Sequence, residues 1–188
     1  MYKAIIFDFF DVIHSDPYRR WRNKYDIEHA GEVERINRML DSGEITEQEF
    51  WHGLADATSQ SYDQVAAVFE DKNLIDPDVV SFIKELGSKY KIGLLSNAGS
   101  EYLRELLHIH DLAELFDEIV VSGEVKMSKP DPEIFEHILQ KLGVKAEESI
   151  FIDDNRRNVN SAERLGIKSI MFTSSDQLKR ELHEIIGE

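Results

Sequence analysis

The sequence predicts an α/β fold: a doubly wound, parallel, Rossmann-like sheet of five strands with an inserted all-helical segment. Five short apolar runs rich in Ile, Val and Phe are typical of buried strands. Helical periodicity alternates with these runs from residue 76 onward, as in parallel sheets covered by helices on both faces. Between residues 17 and 75 no strand-like run occurs, so that stretch is predicted to be helical.

The five predicted strands are all too short to be core helices. They cover residues 3–7, 91–96, 118–122, 149–152 and 168–172. A chain of 188 residues buries roughly 70% of the surface that its unfolded form exposes, so these strands can form a real core.

The helices of the α/β part have clear start and stop signals. Asp76-Pro77 and Asp131-Pro132 each place an N-cap before a first-turn proline. Gly143 is suited to the left-handed position that ends the second of these helices. A further helix is predicted from about Asn155 to Gly166, and a last one after residue 175.

The inserted segment is predicted to be a helical cap. Thr46 and Ser61 each begin a capping box, with Glu49 and Gln64 three residues later, and each is followed by an apolar helical stripe. The predicted division is an α/β core made of residues 1–15 and 76–188, with a cap of residues 16–75.

Charge and composition limit the partners. The chain has 22 Lys and Arg against 37 Asp and Glu, a formal net charge of −15, which disfavours nucleic acid and anionic membranes. It has no cysteine, so disulfides, thiolate metal sites and cysteine nucleophiles are excluded. The N-terminal apolar run is too short for a signal peptide, and we expect a cytoplasmic monomer or homodimer acting on a small molecule.

Polar residues follow the predicted strands at one edge of the sheet. Asp8 and Asp11 come after the first strand, Ser96-Asn97 at the end of the second and Asp153-Asp154 after the fourth. Lys129 follows the third strand at a short distance. Ligands of parallel sheets bind beyond the carboxyl ends of the strands, and hard oxygen donors of this number suit Mg²⁺.

Four short motifs carry a family resemblance that covers the whole chain. They are Ile5-Ile6-Phe7-Asp8, Leu94-Leu95-Ser96-Asn97, Ser128-Lys129-Pro130-Asp131-Pro132 and Phe151-Ile152-Asp153-Asp154. In this order they resemble those of haloacid dehalogenase superfamily hydrolases of subfamily IA, with a helical C1-type cap after the first strand. The paired aspartates, followed by Asn158 and Ala162, resemble the subgroup with the soluble epoxide hydrolase phosphatase domain and sugar-phosphate phosphatases.

The resemblance implies a phosphatase that forms an aspartyl-phosphate. Asp8 would attack phosphorus, and water would later hydrolyse the intermediate. Lys129 would neutralise charge and orient Asp8, while Ser96 and the backbone of Asn97 would hold phosphoryl oxygens.

The resemblance also implies a metal site. Asp8, Asp154 and the backbone carbonyl of Phe10 would bind Mg²⁺. Asp153 and Asn158 would support the site without binding the metal, Asp153 by positioning Lys129 or a metal-bound water.

Residue 10 departs from the family pattern. Phosphatases of this family usually have a second aspartate there, which protonates the leaving oxygen and later activates water. This chain has Phe10, so Asp11, His14, Asp16 or a cap residue would have to serve. The loss of a general acid and base costs a factor of about 10²–10⁴, which predicts slow turnover or a substrate with a good leaving group.

Two further functions stay open. An aromatic residue at position 10 also resembles the 2-haloacid dehalogenases, in which the aspartate displaces halide without Mg²⁺. Those enzymes commonly carry serines where this chain has Asp153 and Asp154, and two carboxylates beside Asp8 favour a bound cation. The other possibility is a ligand-binding or regulatory protein of weak activity that retains the Mg²⁺ site.

Overall fold

The computed structural model describes residues 1–187, and its centre is a five-stranded sheet in which every neighbouring pair of strands is parallel. The strand order is β3-β2-β1-β4-β5. The strands are β1 (Ala4–Phe7), β2 (Lys91–Ser96), β3 (Glu118–Val121), β4 (Ser149–Asp153) and β5 (Lys168–Met171). The predicted doubly wound α/β fold is confirmed, and each strand ends within one residue of its predicted end.

Ten helices are described. They are α1 (Pro17–Tyr25), α2 (Gly31–Asp41), α3 (Glu47–Thr58), α4 (Tyr62–Phe69), α5 (Pro77–Leu86), α6 (Ser100–Ile109), α7 (Ser122–Val125), α8 (Pro132–Leu142), α9 (Arg156–Arg164) and α10 (Ser175–Ile186). Short 3₁₀ turns at Ala113–Leu115 and Ala146–Glu148 precede β3 and β4. None of the helices within residues 1–187 is long and apolar enough to cross a membrane.

Two apolar cores lie on opposite faces of the sheet because successive strand side chains alternate. In β1, Ile5 and Phe7 belong to the larger core, whereas Ala4 and Ile6 belong to the smaller one. Helices α5, α6 and α10 contribute to the larger core, and α8 and α9 to the smaller. β1 is therefore covered on both faces, which explains why its apolar run is continuous.

Helices α1–α4 form the helical insertion, which is joined to the sheet by two adjacent segments. The Ser15 amide donates to the Leu74 carbonyl at 3.0 Å, and the Asp76 amide donates to the Ile13 carbonyl at 2.8 Å. Both predicted capping boxes are present, with Thr46 at the start of α3 and Ser61 at the start of α4. Inside the insertion, aromatic and aliphatic side chains are fully buried: Trp21, Phe50, Leu54 and Val65.

Ser122 is the clearest difference from the predicted elements. It is predicted as the last residue of the third strand, yet β3 ends at Val121 and Ser122 begins α7. Its hydroxyl accepts a hydrogen bond from the Ala98 amide at 3.0 Å. This contact ties the start of α7 to the loop after β2 and ends the strand pairing at Ser96 and Val121.

Candidate active site

Asp8 stands at the carboxyl end of the central strand. Its amide continues the sheet by donating to the Ile152 carbonyl at 2.9 Å. One carboxylate oxygen, Oδ1, accepts a hydrogen bond from the Phe9 amide at 2.7 Å. The side chain is almost buried and borders a cavity, so its orientation is fixed by backbone contacts before any ligand binds.

Lys129 bridges two carboxylates beneath this cavity. Its ammonium nitrogen is 2.9 Å from Asp8 Oδ1 and 2.7 Å from Asp153 Oδ2. Burial disfavours the charged ammonium, but the two carboxylates outweigh burial and raise the pKa of Lys129. Lys129 is therefore a cation that holds Asp8 in place.

Asp153 is oriented by hydrogen bonds from the loop that starts α9. Its Oδ1 accepts from the Asn155 amide at 2.7 Å, and the Asn158 side chain donates to both oxygens at 3.1 and 3.0 Å. Asn155 itself caps α9 by accepting from the Arg157 amide. With its oxygens engaged by Lys129 and Asn158, Asp153 is suited to positioning Lys129 rather than to binding a metal.

Three carboxylates meet in one place. Oxygens of Asp8, Asp153 and Asp154 lie within 4.8 Å of one another. Burial raises the pKa of Asp8 well above its usual value; Lys129 opposes the shift, whereas Asp153 and Asp154 add to it. Lys129 supplies one positive charge to these three carboxylates, and a cluster of hard oxygen donors of this kind fits a divalent cation such as Mg²⁺.

Arg19 of the helical insertion reaches the same group. Its guanidinium forms ion pairs with Asp154 at 2.7 Å and with Asp11 at 2.9 Å. Burial raises the pKa of Asp154, and Arg19 opposes that shift. Asp11 has a positive φ of 56°, and its other carboxylate oxygen accepts from the Asp16 amide at 2.9 Å. Asp11 therefore stabilises the turn after β1 and its contact with α1.

Ser96 and Asn97 lie at the end of β2. The Ser96 hydroxyl is fully buried, and among residues 1–187 it has no hydrogen-bond partner. Asn97 forms a pair of hydrogen bonds with the backbone of Lys129, both at 2.8 Å. The Ser96 hydroxyl is thus unpaired but is not part of the cavity lining, whereas the Asn97 side chain borders the cavity and fixes the loop that carries Lys129.

Phe10 and His14 are packed in an aromatic cluster. Phe10 stacks on Tyr102 with ring centroids 6.3 Å apart and contacts the edge of Phe9 at 5.1 Å. The His14 ring nitrogens lie 2.7 Å from the Ser15 carbonyl and 3.3 Å from the Lys72 carbonyl. Burial lowers the pKa of His14, and the two backbone contacts oppose that shift. His14 is not among the residues that line the cavity.

A cavity of about 300 Å³ separates the sheet edge from the helical insertion. Asp8, Lys129 and Asp154 lie at its sheet side. The rest of its wall is mixed and includes charged side chains of both signs, such as Arg19, Arg38 and Asp41. It also includes six aromatic residues: Phe10, Tyr18, Phe50, Trp51, Phe69 and Tyr102. The arrangement combines aromatic rings with several polar groups, as in sites that bind a small organic molecule.

Asp16 and Asp41 also face this cavity. The sequence identifies Asp16 as a candidate, but it gives no reason to select Asp41 from the insertion. The one available signal is that Asp41 is a carboxylate at the C-terminal end of α2, where the helix dipole disfavours negative charge.

Two carboxylates bridged by a lysine lie at one edge of the α/β sheet, and inserted helices cover them. This arrangement defines a class of hydrolase site. Residues 5–172 match the haloacid dehalogenase-like hydrolase family, and this chain belongs to it. A drimenol cyclase, drtB of Aspergillus calidoustus, is 31% identical over the whole chain, which spans 37% of that protein. The sesquiterpene phosphatase astK of Aspergillus oryzae is 29% identical, with 79% of this chain matching 78% of it.

Solved structures have the same fold. A predicted HAD-like family hydrolase from Porphyromonas gingivalis is 25% identical with a TM-score of 0.78, covering 100% of this chain and 99% of its own. The magnesium complex of a HAD family enzyme from Bacteroides thetaiotaomicron is 26% identical with a TM-score of 0.71, covering 92% and 93%. An L-2-haloacid dehalogenase from Xanthobacter autotrophicus, 20% identical with a TM-score of 0.66 over 98% and 83%, shares the fold.

Proposed function

We propose that this hydrolase is a Mg²⁺-dependent phosphatase that acts on a small phosphomonoester through an aspartyl-phosphate at Asp8. The observation that carries the proposal is the contact of buried Lys129 with both Asp8 and Asp153, beside a further carboxylate, Asp154. Asp8 would be the nucleophile, held in one orientation by Lys129. The Lys129 ammonium would also stabilise the negative charge of a phosphate ester.

Each of the site residues has a separate role in the proposed phosphoryl transfer. Asp8 attacks phosphorus, Lys129 stabilises negative charge, and the unpaired Ser96 hydroxyl donates to a phosphoryl oxygen. Asp8, Asp154 and the Phe10 carbonyl oxygen would hold Mg²⁺, which supplies positive charge to phosphoryl oxygens when bound. Lys129 already contacts Asp8, which supports a reaction that needs little reorganisation of this pair.

The inserted helices act as a cap in this proposal. They cover the strand ends and supply most of the aromatic wall of the cavity. Water excluded by such a wall cannot compete for the charged groups, and the side chains of the wall select the organic part of the substrate.

The aromatic part of the cavity wall favours a phosphate ester whose organic part is apolar. Phe69 contacts Phe50 edge-on and Trp51 at a tilt, each with ring centroids 5.9 Å apart, and all three residues border the cavity. The names of two relatives, a sesquiterpene phosphatase and a drimenol cyclase, agree with such a substrate. A polyanionic nucleic acid does not suit a cavity of this size lined by carboxylates.

A 2-haloacid dehalogenase is the second candidate. Phe10 favours it, and three of the solved structures with this fold are dehalogenases. Asp153 and Asp154 disfavour it, because two carboxylates beside Asp8 repel the charge of the nucleophile unless a cation is bound. The phosphatase is therefore the better supported function.

A paired assay separates the candidates. Phosphate release is measured from a panel of phosphomonoesters, apolar and sugar-derived, with and without Mg²⁺, for the wild type, Asp8→Asn and Asp56→Asn. Asp56 is an exposed carboxylate on α3 and serves as the matched control. We expect Mg²⁺-dependent release that Asp8→Asn abolishes and Asp56→Asn preserves. Halide release from a 2-haloacid, with no phosphate release, would overturn the proposal.

A further inference from the structure

The proposed phosphatase lacks a proton donor in the usual place beside its nucleophile. Phe10 stands two residues after Asp8, and its ring stacks on Tyr102 at 6.3 Å. An alkoxide leaving group requires a proton when the bond from phosphorus to oxygen breaks. Another group that borders the cavity must supply it if unactivated esters are to react.

We propose that Asp41, at the C-terminal end of α2, is the catalytic acid and base of this site. The inference rests on the proposed phosphatase function. Asp41 belongs to the insertion and borders the same cavity as Asp8 and Lys129 on the sheet side. A carboxyl on this wall can donate a proton to the ester oxygen of a substrate whose phosphorus is attacked by Asp8.

The turn between α2 and α3 packs against the loop after β2 and against α6 and α7, which holds Asp41 in place. A Cβ atom on Gly99, in the loop after β2, would lie 2.8 Å from Leu40 Cδ1. Lys126 donates to the Gly43 carbonyl, and Glu47 accepts from the Tyr102 amide at 2.5 Å. Contacts before and after Asp41 thus set its distance from the strand ends.

The surroundings of Asp41 suit a carboxyl that carries a proton. Asn37 donates to its Oδ2 at 3.0 Å, which fixes the orientation of the group. Burial raises the pKa of Asp41 to about 7; the charge of Asp16 adds to the shift, and Lys129 opposes it. An acid with a pKa near 7 exchanges its proton readily under physiological conditions.

The other candidates have structural roles. Asp16 Oδ1 accepts from the Tyr18 amide at 2.9 Å and caps α1. Asp11 forms an ion pair with Arg19, and His14 contacts backbone carbonyls behind the cavity wall. Of the carboxyls that remain on the wall, Asp41 is the one oriented by a side-chain amide that also borders the cavity.

With Asp41 as acid and base, the proposed hydrolysis of a phosphate ester has two steps. A carboxylate oxygen of Asp8 bonds to phosphorus, the bond from phosphorus to the ester oxygen breaks, and that oxygen takes the proton of Asp41 to leave as an alcohol. In the second step the Asp41 carboxylate takes a proton from water. The water oxygen bonds to phosphorus, the bond to Asp8 breaks, and inorganic phosphate leaves with both side chains restored.

Leaving-group dependence tests this role. Values of kcat/KM are measured with Mg²⁺ for benzyl phosphate and 4-nitrophenyl phosphate, which have rings of similar size. The benzyl ester needs a proton donor, whereas 4-nitrophenolate leaves without one. We expect Asp41→Asn to lose about 10²–10⁴-fold on benzyl phosphate and less than about 10-fold on 4-nitrophenyl phosphate. Asp16→Asn and Asp56→Asn should change both esters equally.

Other outcomes overturn the inference in distinguishable ways. Equal losses on the two esters in Asp41→Asn would assign Asp41 a structural role, and thermal unfolding of the variant would record the accompanying loss of stability. A selective loss in Asp16→Asn alone would transfer the role to Asp16. If the wild type releases phosphate from neither ester above background, the proposed function fails, and the inference fails with it.

Discussion

Lys129 is the residue on which the electrostatics of the site depend. It is almost completely buried and contacts the carboxylates of Asp8 and Asp153. Burial raises the pKa of Asp8, and the Lys129 ammonium opposes that shift by favouring the ionised carboxylate. Removal of this cation would leave buried carboxylates without a partner.

Lys129→Met is therefore expected to lower the free energy of unfolding by about 3–5 kcal/mol at pH 7.5, measured by urea denaturation without Mg²⁺. Lys145→Met is the control, since its side chain is 74% exposed and its nearest carboxylate oxygen is 3.8 Å away. Its effect should stay within about 0.5 kcal/mol. Equal stability of the two variants would show that the carboxylates do not need Lys129.

The contribution of Asp41 to the free energy of unfolding should be more favourable in acid than in base. Its pKa is 3.8 in the unfolded chain and about 7 when folded, so the native state binds more protons between these values. Stability then falls as the pH rises from about 4 to 7. Asp16 and Lys129 are the charged groups that act on this carboxyl.

Asp41→Asn keeps the shape of the side chain but removes its charge. We expect the variant to be about 1–3 kcal/mol more stable than the wild type at pH 8, with the gain disappearing toward pH 4. Urea denaturation across this range, with Asp56→Asn as the control, measures the difference. A gain of stability combined with loss of activity would mark a functional residue; a destabilised variant at pH 8 would contradict this account.

At the scale of elements, the turn between α2 and α3 connects the insertion to the sheet. Gly43 has a φ of +66°, and a Cβ atom there would lie 2.4 Å from the Gly123 carbonyl oxygen. Gly31 also has a positive φ, of +56°, but a Cβ atom on it would meet nothing within 4 Å. Alanine substitutions at Gly43 and Gly31 therefore separate the effect of a steric clash with α7 from that of a positive φ alone.

Gly43→Ala should push the turn away from α7 and displace Asp41. We expect a loss of about 2–4 kcal/mol in stability and a fall in kcat/KM, because the collision adds to the strain of alanine at positive φ. Gly31→Ala should cost about 1 kcal/mol and leave kcat/KM unchanged. Thermal unfolding measures the stability of the two variants, and steady-state kinetics measures their kcat/KM. Identical losses in the two variants would show that close packing of this turn against α7 is not important.

Elements with a local signal were predictable from the sequence. The strands follow from apolar runs, and α3 and α4 begin at the predicted capping boxes. Because parallel strands end at one edge, the sequence also predicts that Asp8, Lys129 and Asp154 lie together, as observed. Asp41 carries no such signal, since its place in the cavity depends on how the turn after α2 packs against the loop after β2.

At the scale of the whole molecule, the proposed Mg²⁺ site would link the carboxylates of Asp8 and Asp154 to global stability. A ligand that binds only the folded state, present at 100 times its Kd, stabilises by about 2.7 kcal/mol. For a chain of this size we expect a rise in Tm of about 5–10 °C. Asp154→Asn should abolish the rise and Asp56→Asn should keep it. An equal rise in both variants would place the metal elsewhere.

The central claim is that Asp8 becomes phosphorylated during turnover, and trapping that intermediate is the most direct test. The protein is mixed with Mg²⁺ and 4-nitrophenyl phosphate, quenched in acid within the first turnover, digested and analysed by mass spectrometry. This account predicts a phosphorylated peptide with the modification on Asp8, absent from Asp8→Asn and enriched in Asp41→Asn, whose second step is slowed. Turnover without phosphate on Asp8, or phosphate on another residue, would contradict it.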